Sequence, residues 1–578
     1  MQQSRCRWTA IHFILVLLMG TVWGLSLEAQ VVPQPKAGDP LNTLNASQLE
    51  RFLLGKTQFL RSFSEPEGLG PGFNQDSCAS CHAVPIGGTS PITVTRFGTA
   101  DKGAPFDPMD AEGGSLLQAN AISTECLEVV PATATIIADR ITPSILGAGL
   151  VEAIDNADIE ALQASGGTVH WVPVLEDPTA PLTVGRFGWK AQLATLMSFS
   201  GDATLMEMGI TNSILPLENA PNGDTTLLPL CDSVADPEEP MDNGVPYLDR
   251  ITDFQKFLAP APQTPRSGMA GETIFNDIGC ADCHHPQFTT GVSAEPGLTG
   301  IDLKPYSDFL LHDMGALGDG IAQGDALEVE MKTPPLWGLR IRGQLLHDGR
   351  VLVQTLYQGV NDSVNWHFGE AFASSQAWNN LTKGEQDKVV AFLDSLGRAE
   401  YDTDGNNFID ESDLNGFSAC WTGDAPGSFD ADSPCAIHDL DQDGDVDSID
   451  LEGLEQVFLG TVEDCDLNGT WDLIEILTQG GDIDGNGVLD ACESPLFRRA
   501  DSNLDSTVDI SDAVSLLGAL FSGNAPPSCF DASDCNDDGA LDISAAVFLL
   551  QYLFEGTVVI PPPVGTPGPD PTADGLGC

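Results

Sequence analysis

Two stretches in the first four hundred residues carry apolar positions at helical spacing: ASQLERFLLGKTQFLRSF from Ala46, and TKGEQDKVVAFLDSLGR ending at Arg398. Both predict amphipathic helices. Between them Gly and Pro recur throughout, so short elements joined by turns are expected there. A second pattern lies near the C-terminus. ISDAVSLLGALF from Ile510 and ISAAVFLLQYLF from Ile543 are near-copies, each with helical apolar periodicity. The N-terminus follows neither pattern. Arg5 and Arg7 precede an apolar run from Ile11 to about Leu25, and LEAQ brings the small residue Ala29 near its end. That is the layout of a secretory signal, short for a spanning helix. Residues 1–29 are expected to be cleaved, leaving no integral membrane span. The mature chain is expected to be exported: periplasmic, cell-surface or extracellular.

Charge divides the chain. The net charge is −61 over 578 residues, and from Tyr401 onward 37 acidic residues face two basic ones, Arg498 and Arg499. So acidic a segment argues against nucleic acid or anionic membranes as partners and for bound cations. The acids are regularly placed. DTDGNNFIDESD sets Asp402, Asp404, Asn406, Asp410 and Asp413 at loop places 1, 3, 5, 9 and 12, and DLDQDGDVDSID repeats the pattern with Asp439, Asp441, Asp443 and Asp450 at places 1, 3, 5 and 12 and Asp445 at place 7. Four further loops offer Asp464, Asp466, Asn468 and Glu475; Asp482, Asp484, Asn486 and Glu493; Asp501, Asn503, Asp505 and Asp512; and Asp534, Asn536 and Asp538. Calcium prefers six to eight oxygens around a tight loop, and this spacing supplies them. The recurring aliphatic place 8 argues against a disordered acidic tail. The last loop ends in Ala545 and lacks its final carboxylate, and Asn407 stands where glycine is usual.

Cysteine usage adds the redox chemistry. Cys78-Ala-Ser-Cys81-His82 and Cys280-Ala-Asp-Cys283-His284 are two copies of Cys-x-x-Cys-His. In each, two thiols can form thioethers to one porphyrin while the adjacent histidine binds its iron. A zinc site or a redox dithiol needs no histidine directly after the second cysteine. Two covalently attached c-type haems are therefore expected, with calcium ions as the other cofactors. Nine other cysteines follow the signal, an odd number, with Cys126–Cys231, Cys420–Cys435 and Cys465–Cys492 as plausible pairs.

Several blocks, among them GLGPGFNQDSCASCHAVPIGG, RITPSILGAGLVEAI, GRFGWKAQLATLMSFSGDATLMEMGITNSILP, YSDFLLHDMG and MKTPPLWGLRIRGQLLHDGR, occur in this order. Over about residues 43–398 the chain resembles the dihaem oxidoreductases, also labelled thiol oxidoreductases, which are related to bacterial dihaem cytochrome c peroxidases. The resemblance implies that the first haem, on His82, meets peroxide. The second, on His284, takes electrons from a donor protein or small redox donor and passes them on. His367, in HFGEA, is the implied far ligand of the second haem, with His312 and Met314 as alternatives; Met208 is a further sulfur candidate. Glu152 is the candidate acid/base residue, or else a solvated glutamate at a helix start. Arg140 is the candidate partner of a leaving oxygen or of a propionate. Trp189 and Trp337 either relay electrons between the haems or pack the core, and His347 is expected to hydrogen-bond. The paired loop–helix repeats over about residues 497–560 resemble dockerin modules, which implies a cohesin-like receptor.

The expected fold is mainly α: two c-type cytochrome domains followed by EF-hand/dockerin-like calcium-loop repeats. The expected boundaries are 30–265 and 266–400 for the haem domains, 401–496 for acidic loops, 497–560 for the dockerin-like pair and 561–578 for a Pro/Gly-rich tail. The rival to a peroxidase-like enzyme is a dihaem electron carrier without substrate chemistry.

Overall fold

The computed structural model describes residues 32–578 apart from 101–104, 424, 426, 460–463, 466–470, 480–488, 490–495, 569 and 573–575. The expected signal segment lies outside the described residues. So do Asp466, Asn468, Asp482, Asp484, Asn486, Cys492 and Glu493. Two compact units divide at Leu459/Gly460.

In the first unit both predicted helices form. Helix Ala46–Phe59 starts at Asn45, whose side chain accepts the N–H groups of Ser47 and Gln48, and Lys383–Ser395 starts with a Thr382/Glu385 capping box. Each packs chiefly against one helix, Ala46–Phe59 on Tyr247–Phe257 and Lys383–Ser395 on Ala270–Asp277. A glycine permits each close crossing. A Cβ on Gly55 would lie 2.4 Å from the Arg250 carbonyl oxygen, and one on Gly271 would lie 2.0 Å from that of Lys388. Two apolar cores result. Phe52, Phe59, Phe254 and Phe257 anchor the first, while Phe275, Tyr306, Trp378 and Phe392 anchor the second.

The architecture is mixed rather than mainly α. Among the described residues seven small two-stranded antiparallel sheets join the helices. The longest pairs Thr93–Gly98 with Ile136–Ile141. Frequent Gly and Pro stop elements early, and backbone groups of the resulting segments pair in short two-stranded ladders instead.

Packing links segments on both sides of residues 265 and 400. Phe288, Phe309 and Trp337 join the first core although they follow residue 265. Residues 401–459 group with the unit that precedes them. Buried Tyr401 donates to the Asp450 carbonyl at 2.7 Å, Arg266 pairs with Glu400 at 3.0 Å, and Arg340 reaches Asp394 at 3.3 Å and Asp402 at 3.4 Å. Cys126–Cys231 and Cys420–Cys435 form disulfides as expected.

In the second unit helices Ile510–Phe521 and Ile543–Leu550 bury Ala513, Leu516, Ala546 and Leu549 against each other. The tail is not a loose appendage. Fully buried Arg499 donates to the Pro562 carbonyl at 3.1 Å and pairs with Asp570 at 2.6 Å, while Cys529 is bonded to Cys578. Cys465 is disulfide-bonded, and Cys535 is free and buried. Among the described residues no helix is long and apolar enough to cross a membrane.

Candidate functional site

The first pentad begins as the short helix Cys78–Cys81, capped by the Ser77 hydroxyl. It ends by turning the His82 ring so that Nδ1 donates to the Gly88 carbonyl at 3.1 Å. The carbonyl can only accept, so Nδ1 carries the proton and Nε2 is left with its lone pair. The second pentad repeats the arrangement, with His284 Nδ1 donating to the Tyr306 carbonyl at 2.9 Å. Burial lowers both imidazole pKa values to about 4, against the opposing effect of these hydrogen bonds. Both rings therefore stay neutral at ordinary pH, as iron ligation requires.

The repeat extends one layer outward. The ring of Phe59 lies 5.9 Å from that of His82 and 4.6 Å from that of Phe254. In the second half Phe275 lies 6.2 Å from His284 and 5.5 Å from Phe392. Each histidine thus rests against the aromatic seam of its own helix pair.

Three of the four thiols argue against a reactive redox dithiol. Burial pushes Cys78 up to about 11 and Cys81 and Cys280 up to about 12. Reactive dithiols instead have lowered values. The two pentads face separate cavities and do not assemble a shared four-ligand cluster.

A cavity of about 390 Å³ is lined by Cys280, Cys283 and His284, and one of about 140 Å³ by Cys78, Cys81 and His82. Ile141, Thr142, Pro143, Gly188, Trp189 and Phe199 line both and so form a common wall. Trp189 is fixed there by its indole N–H, which donates to the Ile141 carbonyl at 2.8 Å. Its ring meets His347 edge-on, with centroids 6.3 Å apart. Trp337 lines the larger cavity and belongs to the first core.

His367 shares the larger cavity with His284 and bears the same signature, its Nδ1 donating to the Ser363 carbonyl at 2.8 Å. His312 differs. Its two nitrogens meet Asp308 at 2.8 Å and Glu370 at 2.9 Å, leaving no lone pair for a metal. Burial alone would lower its pKa, but the Asp308 and Cys283 contacts outweigh that and raise it to about 11. Met314 lines the same cavity, and Met208 lines the smaller one.

The two catalytic candidates separate. Arg140 lines the smaller cavity, where its guanidinium pairs with Asp319 at 2.6 Å; Asp319 also meets Lys190 at 3.2 Å. Glu152 lines neither cavity. Its carboxylate accepts the Leu196 N–H at 2.7 Å and lies 3.8 Å from Lys256, so it caps helix Leu196–Met208. That helix carries the acids that do face the smaller cavity, Asp202 and Glu207, both with pKa values raised by burial. Asn74 donates to Glu207 at 2.7 Å. Sequence reasoning passed over Glu207, although two carboxylates in an otherwise uncharged helix were the available signal.

The four acidic loops within the described residues share one backbone form. Place 6 donates its N–H to the place-1 carboxylate: Asn407 to Asp402 at 3.3 Å, Gly444 to Asp439 at 3.1 Å, Ser506 to Asp501 at 2.9 Å and Gly539 to Asp534 at 2.9 Å. Place 6 is left-handed in all four, including Asn407 at φ 66°. Asp413, Asp450 and Asp512, at place 12, are buried and accept backbone N–H groups, while Ala545 takes that place in the last loop. Asp402, Asp404 and Asp413 bring carboxylate oxygens within 4.8 Å of one another, as do Asp439, Asp441 and Asp450. Oδ1 of Asp402 and of Asp534 is buried without a hydrogen-bond partner. Such atoms fit a bound cation. Burial, then neighbouring carboxylates, raises Asp439 to about 6 and Asp450 to about 7, against the backbone N–H groups that each accepts.

Among structures, the chain is similar to Kuenenia stuttgartiensis hydrazine synthase under xenon, at 15% identity over 67% of this chain and 100% of that one, TM-score 0.29. A MauG-like protein associated with microbial copper homeostasis shows 15% identity over 65% and 95%, TM-score 0.27. A variant of the diheme peroxidase BthA from Burkholderia thailandensis shows 16% over 64% and 90%, TM-score 0.27. No curated protein matches the chain. Residues 120–396 match the family model described as "Di-haem oxidoreductase, putative peroxidase". The match takes in the second pentad, Glu207, His367 and the shared wall, and on it the chain is an oxidoreductase.

Proposed function

We propose that the chain is an exported dihaem c-type oxidoreductase with peroxidase-type chemistry at the first pentad and electron uptake at the second. One observation carries this reading: two pentads with matching histidine geometry face two cavities that share the Trp189 wall. Cys78 and Cys81 would hold one haem covalently with His82 as ligand. Cys280 and Cys283 would hold the other, with His284 and His367 as its two ligands. The donor sets fit, since each cavity offers two thiols and an imidazole with Nε2 unclaimed. A bound haem supplies one-electron chemistry and, where its iron has an open site, peroxide binding.

The remaining steps belong to the protein. Glu207 is proposed to move the peroxide proton at its carboxylate, because burial keeps it protonated to higher pH than an ordinary glutamate. Asn74 orients that carboxylate. Arg140, held by Asp319, keeps a positive charge at the cavity where negative charge develops. Glu152 positions the helix that bears Glu207. Trp189 lies where an aromatic ring can pass electrons through the common wall.

The acidic loops are proposed to bind calcium through Asp402, Asp404 and Asp413, through Asp439, Asp441 and Asp450, and through the corresponding residues of the later loops. The pair of repeats over residues 497–560 is proposed to engage a cohesin-like receptor.

A second reading, a dihaem electron carrier, draws on Met208, whose side chain lines the smaller cavity and offers sulfur as a ligand. Low-temperature electron paramagnetic resonance on the oxidised, calcium-loaded protein separates the two. A high-spin ferric signal that disappears with hydrogen peroxide supports the enzyme. Two low-spin signals that ignore peroxide, also after partial reduction, leave the carrier.

A further inference from the structure

The larger cavity contains two cations that none of the roles above uses. Lys332 ends strand Glu330–Lys332 and is 8% exposed. Its ammonium has one hydrogen bond, a long one of 3.5 Å to the Thr333 carbonyl, and lies 5.7 Å from the Phe309 ring centroid. Arg342 donates from Nη2 to the carbonyls of Pro335 and Trp337, both at 3.0 Å, which leaves Nε and Nη1 without a partner among the described residues. Both side chains line the cavity that holds Cys280, Cys283 and His284.

Among the described residues neither cation forms an ion pair. Asp308 is the carboxylate that acts on Lys332, but its oxygens are already taken, Oδ2 by His312 at 2.8 Å and Oδ1 by the Leu310 N–H at 3.0 Å. Burial lowers Lys332 to about 8 and Arg342 to about 10, and Arg342 adds like-charge repulsion on Lys332. Two neighbouring cations against an apolar wall are costly unless an anion joins them. Arg offers a planar fork and Lys a point charge, the two usual partners of carboxylate groups.

We propose that Lys332 and Arg342 form an anion-binding pair that receives the propionate carboxylates of the haem held at Cys280, Cys283 and His284. The inference rests on the c-type reading of the second pentad. It also gives the pair an electronic task. Positive charge beside a haem favours its reduced form, so the pair raises the potential of a haem that two histidines would otherwise hold low.

The test uses the full haem-loaded chain with Lys332→Met, Arg342→Met and the charge-keeping Lys332→Arg. Mass spectrometry of the peptide containing Cys280 and Cys283 comes first. Absence of haem there in the unaltered chain overturns the c-type reading itself. With haem in place, resonance Raman spectra of the propionate bending modes and a redox titration of each haem test the pair. Each methionine variant is expected to shift the propionate band and lower the midpoint potential of the second haem alone, and Lys332→Arg is expected to restore both. Unchanged bands and potentials at full haem occupancy overturn the pairing, as does an equal shift at both haems. Lys332→Gln and Arg342→Gln give the same reading if a methionine variant does not fold.

Discussion

The Glu152 carboxylate accepts the backbone N–H of Leu196 at 2.7 Å, at the start of the helix whose other end presents Glu207 to the smaller cavity. One glutamate therefore holds the helix and another faces the site, so their substitutions should separate stability from turnover. Glu152→Gln removes a carboxylate from a helix N-terminus and should cost about 1 kcal/mol of stability, with peroxide turnover largely kept. Glu207→Gln should leave the melting temperature nearly unchanged and lower the peroxide rate on the order of 10²-fold. Thermal melts beside steady-state peroxide assays check both, and the reverse assignment of effects would return Glu152 to the site.

Ligation of the second haem should be legible in its spin state. With His367 as far ligand, His367→Ala should convert a low-spin ferric signal to high-spin, while His312→Ala should leave it low-spin. His367→Met should raise the midpoint potential, since a thioether favours the reduced iron. An unchanged signal in His367→Ala would transfer the role to Met314, which lines the same cavity.

A pH effect is expected from a carboxylate cluster outside the lining of the two cavities. Glu218, Asp232, Asp236 and Glu238 bring carboxylate oxygens within 4.8 Å of one another. Burial first, then neighbouring carboxylates, raises Glu218 to about 9 and Glu238 to about 7. A carboxyl whose folded pKa lies above its unfolded value contributes stability at low pH and loses it as pH rises through the folded value. In the presence of chelator the chain should therefore lose stability between about pH 5 and 9, and Glu218→Gln should flatten that fall. Denaturant unfolding of both chains across this range measures the difference.

The acidic loops predict a graded response to calcium. Asp413→Asn should weaken binding at the first loop and also lose part of its capping box. Ala545→Asp should strengthen the last loop, because it restores the place filled by Asp512 in the preceding repeat. Isothermal titration with calcium, before and after each change, decides both. Equal affinity for the Ala545→Asp chain and the unaltered one would show that this place is not a ligand.

Much of the chemistry was written in short local patterns. The pentads, the twelve-residue acidic loops and the helices around Phe52 and Phe392 could be read because their determinants lie within one or two turns of chain: ligand spacing, apolar periodicity, capping residues. The same locality misled where a residue's role depends on distant neighbours. Glu152 sits in a family-like block, yet its partner is a helix N–H 44 residues away. Glu207 and Asp202 line the smaller cavity only because their helix turns that side toward it. The odd count of cysteines did not say which one stays unpaired: Cys578 is bonded to Cys529, and Cys535 is the free buried thiol.

Local pattern along the chain sets which thiol, imidazole and carboxylate groups are brought together in the pentads and the acidic loops, since that depends on atom type and spacing. Tertiary packing alone decided that Trp189 stands in a wall common to both cavities, that His312 is consumed by two carboxylates, and that residues 401–459 join the first unit. These are contacts between segments far apart in sequence. They follow from how apolar surfaces bury one another, and no local spacing rule encodes them.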